Sequence, residues 1–99
     1  MEAPAQYGDA PLDIRPETLR EFGAGWEPPT AAEIRAVIRL AGLTAGEVAA
    51  LVGMPDRGMV QRWTTGDAPV PFAAWAILCE VAGLGTIWRV VYEERGASG

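Results

Sequence analysis

The chain has 99 residues, of which 49% are hydrophobic and 21% charged, and this composition fits one domain with a single core and excludes disorder over the whole length. Its formal net charge is −5 and it contains no histidine, the commonest general base and metal ligand, so we expect no enzyme, no cofactor and no metal site. No apolar run reaches the roughly 20 residues of a membrane span, and the start "MEAPAQYGDAP" lacks the positive charge and apolar stretch of a signal peptide, so we expect a cytoplasmic protein with no membrane partner.

Residues 1–29 are predicted to form an acidic N-terminal arm. Six acidic residues against two arginines give this arm a net charge of −4. In "RPETLREF", Pro16 stands where a first helical turn accepts proline, and Leu19 and Phe22 lie three residues apart, which predicts a short helix of about two turns that ends at "GAG". Trp26, in the extended link that follows, is expected to dock on the core. The arm could also contact another protein.

Two capping boxes mark the next two helices. Thr30 and Glu33 can exchange hydrogen bonds between side chain and backbone at the start of "TAAEIRAVIRLAGL", and Thr44 and Glu47 can do the same at the start of "TAGEVAALVGM". Apolar residues then recur at helical spacing on one face of each segment, and a glycine ends each one. The predicted inward residues are Ile34, Val37, Ile38 and Ala41 in the first helix and Val48, Leu51 and Val52 in the second.

The stretch "PDRGMVQRWTTG" predicts a third helix, with Asp56 as its N-cap and Gly66 as its end. Met59, Val60 and Trp63 then face inward. Two short helices joined by a turn around a glycine are the outline of a helix-turn-helix. After a proline-bearing loop, "FAAWAILCEVAG" predicts a fourth helix that is apolar nearly all round and therefore central.

Residues 86–99 form a tail in which β-branched and aromatic side chains alternate over "TIWRVVYEE", which favours a strand over a fifth helix. A lone strand needs a partner, and this one could pair with its copy in a second chain across a two-fold axis. The predicted dimerisation residues are Ile87, Trp88, Val90, Val91 and Tyr92. The sequence thus predicts an all-α fold, a compact bundle of about five helices with a helix-turn-helix domain at residues 30–85, together with this short C-terminal strand.

The stretches "GLTAGEVAALVGM", "VQRWTTGDAPVPFAAW" and "ILCEVAGL" together resemble the lambda repressor and Cro-like class, the XRE family of helix-turn-helix regulators. Val60, Trp63 and Gly66 match the end of the family's recognition helix and the stop after it. Pro71 and Trp75 match the following loop and core helix. The resemblance covers roughly residues 31–84 and implies a regulator that binds double-stranded DNA.

The predicted recognition helix presents an outward face that could contact DNA. In this motif the second helix reads base edges from the major groove, and the first helix crosses the backbone. Arg57 and Gln61 are the base-reading candidates, because their side chains can make two-pronged contacts with guanine and adenine edges. The candidates for contact with backbone phosphates are Arg62, Thr64, Thr65 and Thr44. The same residues could instead form a solvated helix face, and the sequence leaves both interpretations open.

The sequence departs from the family's pattern in the motif itself and in its charge. Residues 30–83 hold five acidic residues against four arginines, beside the acidic arm, and so bring little surplus positive charge to DNA. Ala45 stands where family members often carry a glutamine that contacts the backbone, and the segment from the turn to Trp63 is one residue longer than the common form. Gly58 stands where a helix former is expected, at a cost of about 1 kcal/mol in helix propensity. We therefore expect the recognition helix to start late or irregularly.

The leading hypothesis is a homodimeric repressor that reads a palindromic operator and occupies a promoter. The alternative is a protein-binding module on the same scaffold, an antitoxin-like or anti-defence protein that uses an acidic face. Arginines clustered around residues 56–65 favour DNA, whereas a continuous acidic face favours a protein target. The residues of that face are Glu17, Glu21, Glu27 and Glu33. Arg35 and Arg39 are expected to be solvated or paired with Glu33 or an acid of the arm, with contact to a phosphate as the other option.

Overall fold

The computed structural model describes residues 14–90, which form four α-helices preceded by two short 3₁₀ helices. The α-helices are α1 (Ala31–Ala41), α2 (Ala45–Val52), α3 (Arg57–Thr65) and α4 (Phe72–Val81). The 3₁₀ helices are Pro16–Leu19 and Phe22–Ala24. The predicted all-α fold is confirmed. None of the helices in the described range is long and apolar enough to cross a membrane.

Both predicted capping boxes are present. At α1, the hydroxyl of Thr30 accepts from the amide of Glu33 at 3.2 Å, and the carboxylate of Glu33 accepts from the amide of Thr30 at 2.7 Å. The box of Thr44 and Glu47 at α2 has the same two bonds, at 3.1 and 2.9 Å. These bonds satisfy amides that have no partner within the helix, so the helix starts are set by nearby residues. The glycines that follow α1, α2 and α3 adopt positive φ angles of 72°, 81° and 87°; they are Gly42, Gly53 and Gly66.

The core lies among the four α-helices and contains two buried indoles. α1 and α2 each pack against both α3 and α4. Trp63 of α3 and Trp75 of α4 are 1% and 0% exposed, and Val48, Val60 and Leu78 are fully buried with them. Each such side chain stabilises the fold by roughly 1.5–3 kcal/mol on burial. Helices of eight to eleven residues are marginal alone, so packing supplies most of their stability.

The segment before α1 differs from the prediction of one helix of two turns. It forms two 3₁₀ turns separated by Arg20 and Glu21, whose backbones are extended with ψ angles of 158° and 152°. The reason is the carbonyl of Thr18, which accepts the indole N–H of Trp75 at 2.7 Å and that of Trp26 at 3.0 Å. A continuous α-helix would direct this carbonyl to an amide of its own segment. The contact with the core therefore replaces the second helical turn.

Residues 14–29 of the predicted arm pack on the helical bundle. Ile14 is 5% exposed within the core, and Arg15 donates to the carboxylate of Glu33 from its Nε and its backbone amide, both at 2.9 Å. Burial alone would raise the pKa of Glu33, but hydrogen bonds from Arg15 and from the amide of Thr30, with the charge of Arg15, hold that pKa at about 2. Arg15 occupies this carboxylate, so the option in which Glu33 pairs with an arginine of α1 is wrong.

Residues 86–90 form no strand with any other described segment of the protomer, so the strand paired with a second copy of the chain stays a prediction. Side chains of the same protomer hold this segment instead. Trp88 donates its indole N–H to Glu80 of α4 at 3.2 Å, and Arg89 forms an ion pair with Glu21 at 2.8 Å. The neighbours of the segment are thus a helix and the region before α1, and the contacts that hold it there are made by side chains.

The predicted dimerisation residues have different environments. Ile87 is 4% exposed and lies in the core, so its assignment to a dimer contact is wrong because its side chain is already buried within one protomer. Trp88 and Val90 are 49% and 61% exposed. Val91 and Tyr92 lie outside the described residues. A dimer contact through Trp88 and Val90 stays a prediction.

Candidate nucleic-acid interface

The helices α2 and α3, with the turn between them, form a helix-turn-helix. Gly53 begins the turn in the left-handed conformation, and the amide of Met54 donates to the carbonyl of Ala49 at 2.8 Å, which closes the end of α2. Val60 and Trp63 anchor one side of α3 in the core. The opposite side of α3 is therefore held in a fixed position at the surface.

Gly58 explains how α3 begins. The helix starts at Arg57, and the carboxylate of Asp56 accepts the amide of Gly58 at 2.8 Å as the N-cap bond. A Cβ at position 58 would lie only 2.9 Å from the Oδ1 atom of Asp56. The expectation of a late or irregular start is wrong, because the glycine leaves room for the cap that fixes the first turn. Sequence reasoning counted only the propensity cost of this glycine and missed the space that the cap requires.

The two base-reading candidates lie on the surface of α3. Arg57 and Gln61 are exposed and stand four residues apart, which places them one turn apart on the same side of the helix. Arg57 forms no ion pair with another residue in the range 14–90. The helix presents both side chains outward from its first two turns, which is the part that enters the major groove in this motif.

Arg62 and Thr44, two of the candidates for contact with DNA backbone phosphates, are also exposed. Arg62 lies in the last turn of α3 and makes no ion pair among the described residues. The hydroxyl of Thr44 accepts from the amide of Glu47, which leaves its own proton able to donate to a phosphate. The carboxylate of Glu47 already occupies one amide at this helix start, and its charge reduces the attraction of the α2 N-terminus for an anion.

The hydroxyls of Thr64 and Thr65 are engaged within the chain. Thr64 donates to the carbonyl of Gln61 at 2.8 Å. The hydroxyl of Thr65 lies 3.2 Å from the carbonyl of Arg62 and 3.0 Å from the carboxylate of Asp67. A phosphate at either threonine would have to displace these bonds, and at Thr65 it would also meet the negative charge of Asp67. The geometry favours Arg62 over both threonines as a phosphate contact.

The arginines among the described residues fall into two groups. Arg15, Arg20 and Arg89 form ion pairs with glutamates of the region before α1 or, for Arg15, also with Glu33 in the first turn of α1. The arginines of α1 and α3 are exposed and form no ion pair with any residue from 14 to 90; they are Arg35, Arg39, Arg57 and Arg62. Within residues 14–90, the arginines without an ion-pair partner therefore lie on two helices that pack together, as contact with phosphates requires.

The acidic face required by the protein-binding alternative is compensated inside the protomer. Its pairs are Glu27 and Glu33 with Arg15, Glu17 with Arg20, and Glu21 with Arg89. Glu33 is also buried. A basic partner would have to displace arginines that already hold these carboxylates. Each carboxylate of this predicted face is thus engaged by an arginine within the protomer.

An apolar surface patch lies beside α4, and we call it the α4 patch. It consists of Phe22, Phe72, Ile77 and Trp88, which line two adjoining clefts. Phe22 is 67% exposed, and its ring centroid lies 5.5 Å from that of Phe72. The sequence analysis placed Phe22 in a short helix and α4 at the centre of the bundle, so this patch was not predicted. The sequence did contain a signal for the patch, since the predicted fourth helix is apolar on nearly every side. A helix at the edge of a small bundle must expose one of its sides, so an apolar surface follows.

The capped helices, the glycine turn and the exposed arginine-bearing side of α3 define a helix-turn-helix protein of the regulator class. The chain is 50% identical over 80 residues to the transcriptional repressor protein KorC of Escherichia coli, a match that covers 79% of this chain and 93% of the relative. A second Escherichia coli protein of the same name is 46% identical over 81 residues, covering 80% and 94%. The chain belongs to the KorC family of transcriptional repressor proteins. No family model and no solved structure matches it.

Proposed function

We propose that this protein is a cytoplasmic transcriptional repressor that binds a palindromic DNA operator as a homodimer and represses by occupying a promoter. The observation that carries this proposal is the outward side of α3, where Arg57 and Gln61 are exposed on a helix anchored by Val60 and Trp63. Two relatives named transcriptional repressor support it, and so does the resemblance to the lambda repressor and Cro-like XRE family.

In this proposal α3 enters the major groove. Arg57 reads a guanine and Gln61 reads an adenine, each by a two-pronged contact worth about 1–3 kcal/mol of discrimination. Arg62 and Thr44 hold the phosphates on either side of the groove, and Thr64 and Thr65 join them only after giving up their bonds within the chain. These contacts set the register of α3, while the base contacts determine the sequence.

A dimer supplies affinity that a single protomer lacks. The chain has a net charge of −5, so its electrostatic attraction to DNA depends on a few local arginines. Two protomers on a two-fold axis double these contacts and match a palindromic site. We propose that Trp88 and Val90 form part of the contact, with Val91 and Tyr92 beyond the described range, because exposed apolar patches in small proteins mark interaction sites.

The test is selection of binding sites from a randomised duplex library at two salt concentrations, followed by affinity measurements on the enriched site. We expect a motif with two-fold symmetry. Gln61→Ala should weaken binding to that motif by about 5- to 150-fold while leaving binding to random duplex unchanged, because glutamine carries no charge. Arg57→Ala should weaken binding to the motif by a similar factor and should weaken binding to random duplex by a smaller one.

Arg20→Ala is the matched control, since it removes an exposed arginine that is paired with Glu17 away from α3. It should bind the enriched motif like the wild type. If both α3 variants lose equal affinity for the motif and for random duplex, Arg57 and Gln61 contact DNA without reading its sequence. Absence of any enriched motif at low salt would contradict sequence-specific binding by this chain.

A further inference from the structure

A cleft of about 360 Å³ lies between α1 and the end of α3. It is lined by Arg35, Ile38, Arg39, Leu43 and Thr64. Thr64 is itself one of the predicted contacts with the DNA backbone. Leu43 directly precedes Thr44, which is another of these predicted contacts. The cleft therefore joins the start of α2 to the end of α3 on one surface.

Arg35 connects the two helices that form this cleft. Its Nη1 donates to the backbone carbonyl of Thr64, in the last turn of α3. The end of a helix carries partial negative charge on carbonyls that have no partner in the helix, so a guanidinium there both satisfies one of them and opposes the dipole. The bond links α1 to the recognition helix and restrains the position of its C-terminal end.

Arg39 lies one helical turn beyond Arg35 and is exposed. Neither arginine forms an ion pair with a residue in the described range, and no carboxylate lines the cleft. By contrast, Arg15, Arg20 and Arg89 are held by carboxylates elsewhere in the protomer. Two guanidinium groups that line one cleft, with no counter-charge among residues 14–90, can bind an anion with several oxygen acceptors.

We propose that this cleft binds a phosphate of the DNA backbone beside the recognition helix, with Arg39 contacting the phosphate and Arg35 acting as the positioning residue for α3. This inference rests on the proposed function, and it extends the footprint on DNA from α2 and α3 to α1. It also supplies positive charge at the place where the two threonine hydroxyls of α3 are engaged within the chain.

The experiment measures the slope of log K against log salt for the full-length chain on its enriched operator and on random duplex. Each phosphate contact contributes about 0.9 to this slope, so Arg39→Ala should lower it by about 0.9 on both DNAs. Between 50 and 200 mM salt, the wild type should then lose about 3.5-fold more affinity than the variant. Arg39→Lys keeps the charge and should keep the slope, and Arg20→Ala serves as the control with an unchanged slope.

Arg35 requires a different readout, because its proposed role is to place α3. Arg35→Ala should reduce the ratio of operator to random affinity, whereas Arg35→Lys can still donate to the carbonyl of Thr64 and should restore part of that ratio. Circular dichroism at the assay temperature establishes that each variant is folded before its affinity is compared.

The outcomes separate this inference from the proposed function. An unchanged slope in Arg39→Ala, with a wild type that recovers a motif, overturns the cleft and leaves the repressor. If Arg39→Ala lowers the slope while Gln61→Ala loses equal affinity for the operator and for random duplex, phosphate binding in the cleft is supported and base reading by α3 is overturned. A wild type that binds neither DNA overturns both. An unchanged specificity ratio in folded Arg35→Ala overturns the positioning role.

Discussion

Replacing Glu33 by glutamine should make the stability of the protein less dependent on pH. The pKa of Glu33 is about 2 against its ordinary value of 4.5, and a difference of this size corresponds to about 3 kcal/mol of preference for the charged form in the folded chain. Glu33 is buried, but the side chain of Arg15 is 42% exposed and water screens its charge, so we expect about 2 kcal/mol.

The sign follows from the direction of the pKa. The folded chain holds the Glu33 carboxylate more acidic than the unfolded chain does, so the stabilisation is complete above about pH 4.5 and is lost as the pH falls from 4.5 towards 2. Glu33→Gln should therefore be about 2 kcal/mol less stable than the wild type at pH 7. By pH 2.5 about three quarters of the difference should be lost, because the carboxyl is then neutral in the unfolded chain and close to its folded-state pKa of about 2.

Urea unfolding followed by circular dichroism, at steps from pH 7 to pH 2.5, measures both proteins. Other carboxylates titrate in both, so the difference in unfolding free energy isolates Glu33. Glu21→Gln is the control: its ion pair with Arg89 is 39% and 69% exposed, so we expect a loss within about 0.5 kcal/mol and a wild-type pH profile. A difference between wild type and Glu33→Gln that stays constant from pH 7 to pH 2.5 would refute the reasoning.

Two further predictions concern α3 and the α4 patch. Gly58→Ala should change the unfolding free energy by less than about 0.5 kcal/mol, because the gain of about 1 kcal/mol in propensity is offset by loss of the Asp56 cap. In an Asp56→Ala background the same change should stabilise by about 1 kcal/mol, and equal effects in the two backgrounds would contradict the steric explanation. Replacing Trp88 and Val90 by serine should convert a dimer into a monomer by light scattering, whereas Leu51→Ser, at a 41% exposed position on α2, should leave it intact. A dimer that persists after the double replacement would place the interface elsewhere.

The helices could be predicted because their signals are local. The box of Thr30 and Glu33 spans four residues and forms as the sequence predicts, and Asp56 caps α3 in the same way. The starts of α1, α2 and α3 thus depend on groups within one turn of chain, whereas α4 begins after Pro71 without a side-chain cap.

The inward faces of α3 and of most of α2 also follow from spacing, as the burial of Val48, Val60 and Trp63 shows. The prediction that Leu51 faces inward is wrong, because α2 buries the side that carries Val48 and Ala49, and Leu51 is 41% exposed.

The ends of the described chain could not be predicted because their partners are distant in sequence. The carbonyl of Thr18 accepts from Trp75, and no local pattern indicates that this contact interrupts a helix. The alternation of Ile87 and Trp88 is real, since one is buried and the other exposed, but the segment packs on α4 and not on a strand. Alternation indicates that one side of a segment is buried, but it does not indicate which element covers that side.

The outward side of α3 was predicted residue by residue, whereas its electrostatic setting was not. Arg57 and Gln61 are exposed as the inward positions require. Which arginines are compensated depends on tertiary contacts, such as those that bring Arg89 to Glu21 across 68 positions. The sequence alone therefore does not show which of the described arginines form ion pairs and which, on α1 and α3, form none with a described residue.

The hydrogen bond from Trp75 to Thr18 joins residues 57 positions apart and closes the chain into a loop that contains the whole of α1, α2 and α3. Closing a flexible loop of this length costs roughly 3–4 kcal/mol of chain entropy by the logarithmic rule, so the closure belongs late in folding, after the enclosed helices have begun to pack. Once closed, the loop couples residue 18 to the helix-turn-helix in one cooperative unit. The indole N–H of Trp75 should then exchange with solvent only when the domain opens globally, with the same opening free energy as the slowest amides of α4.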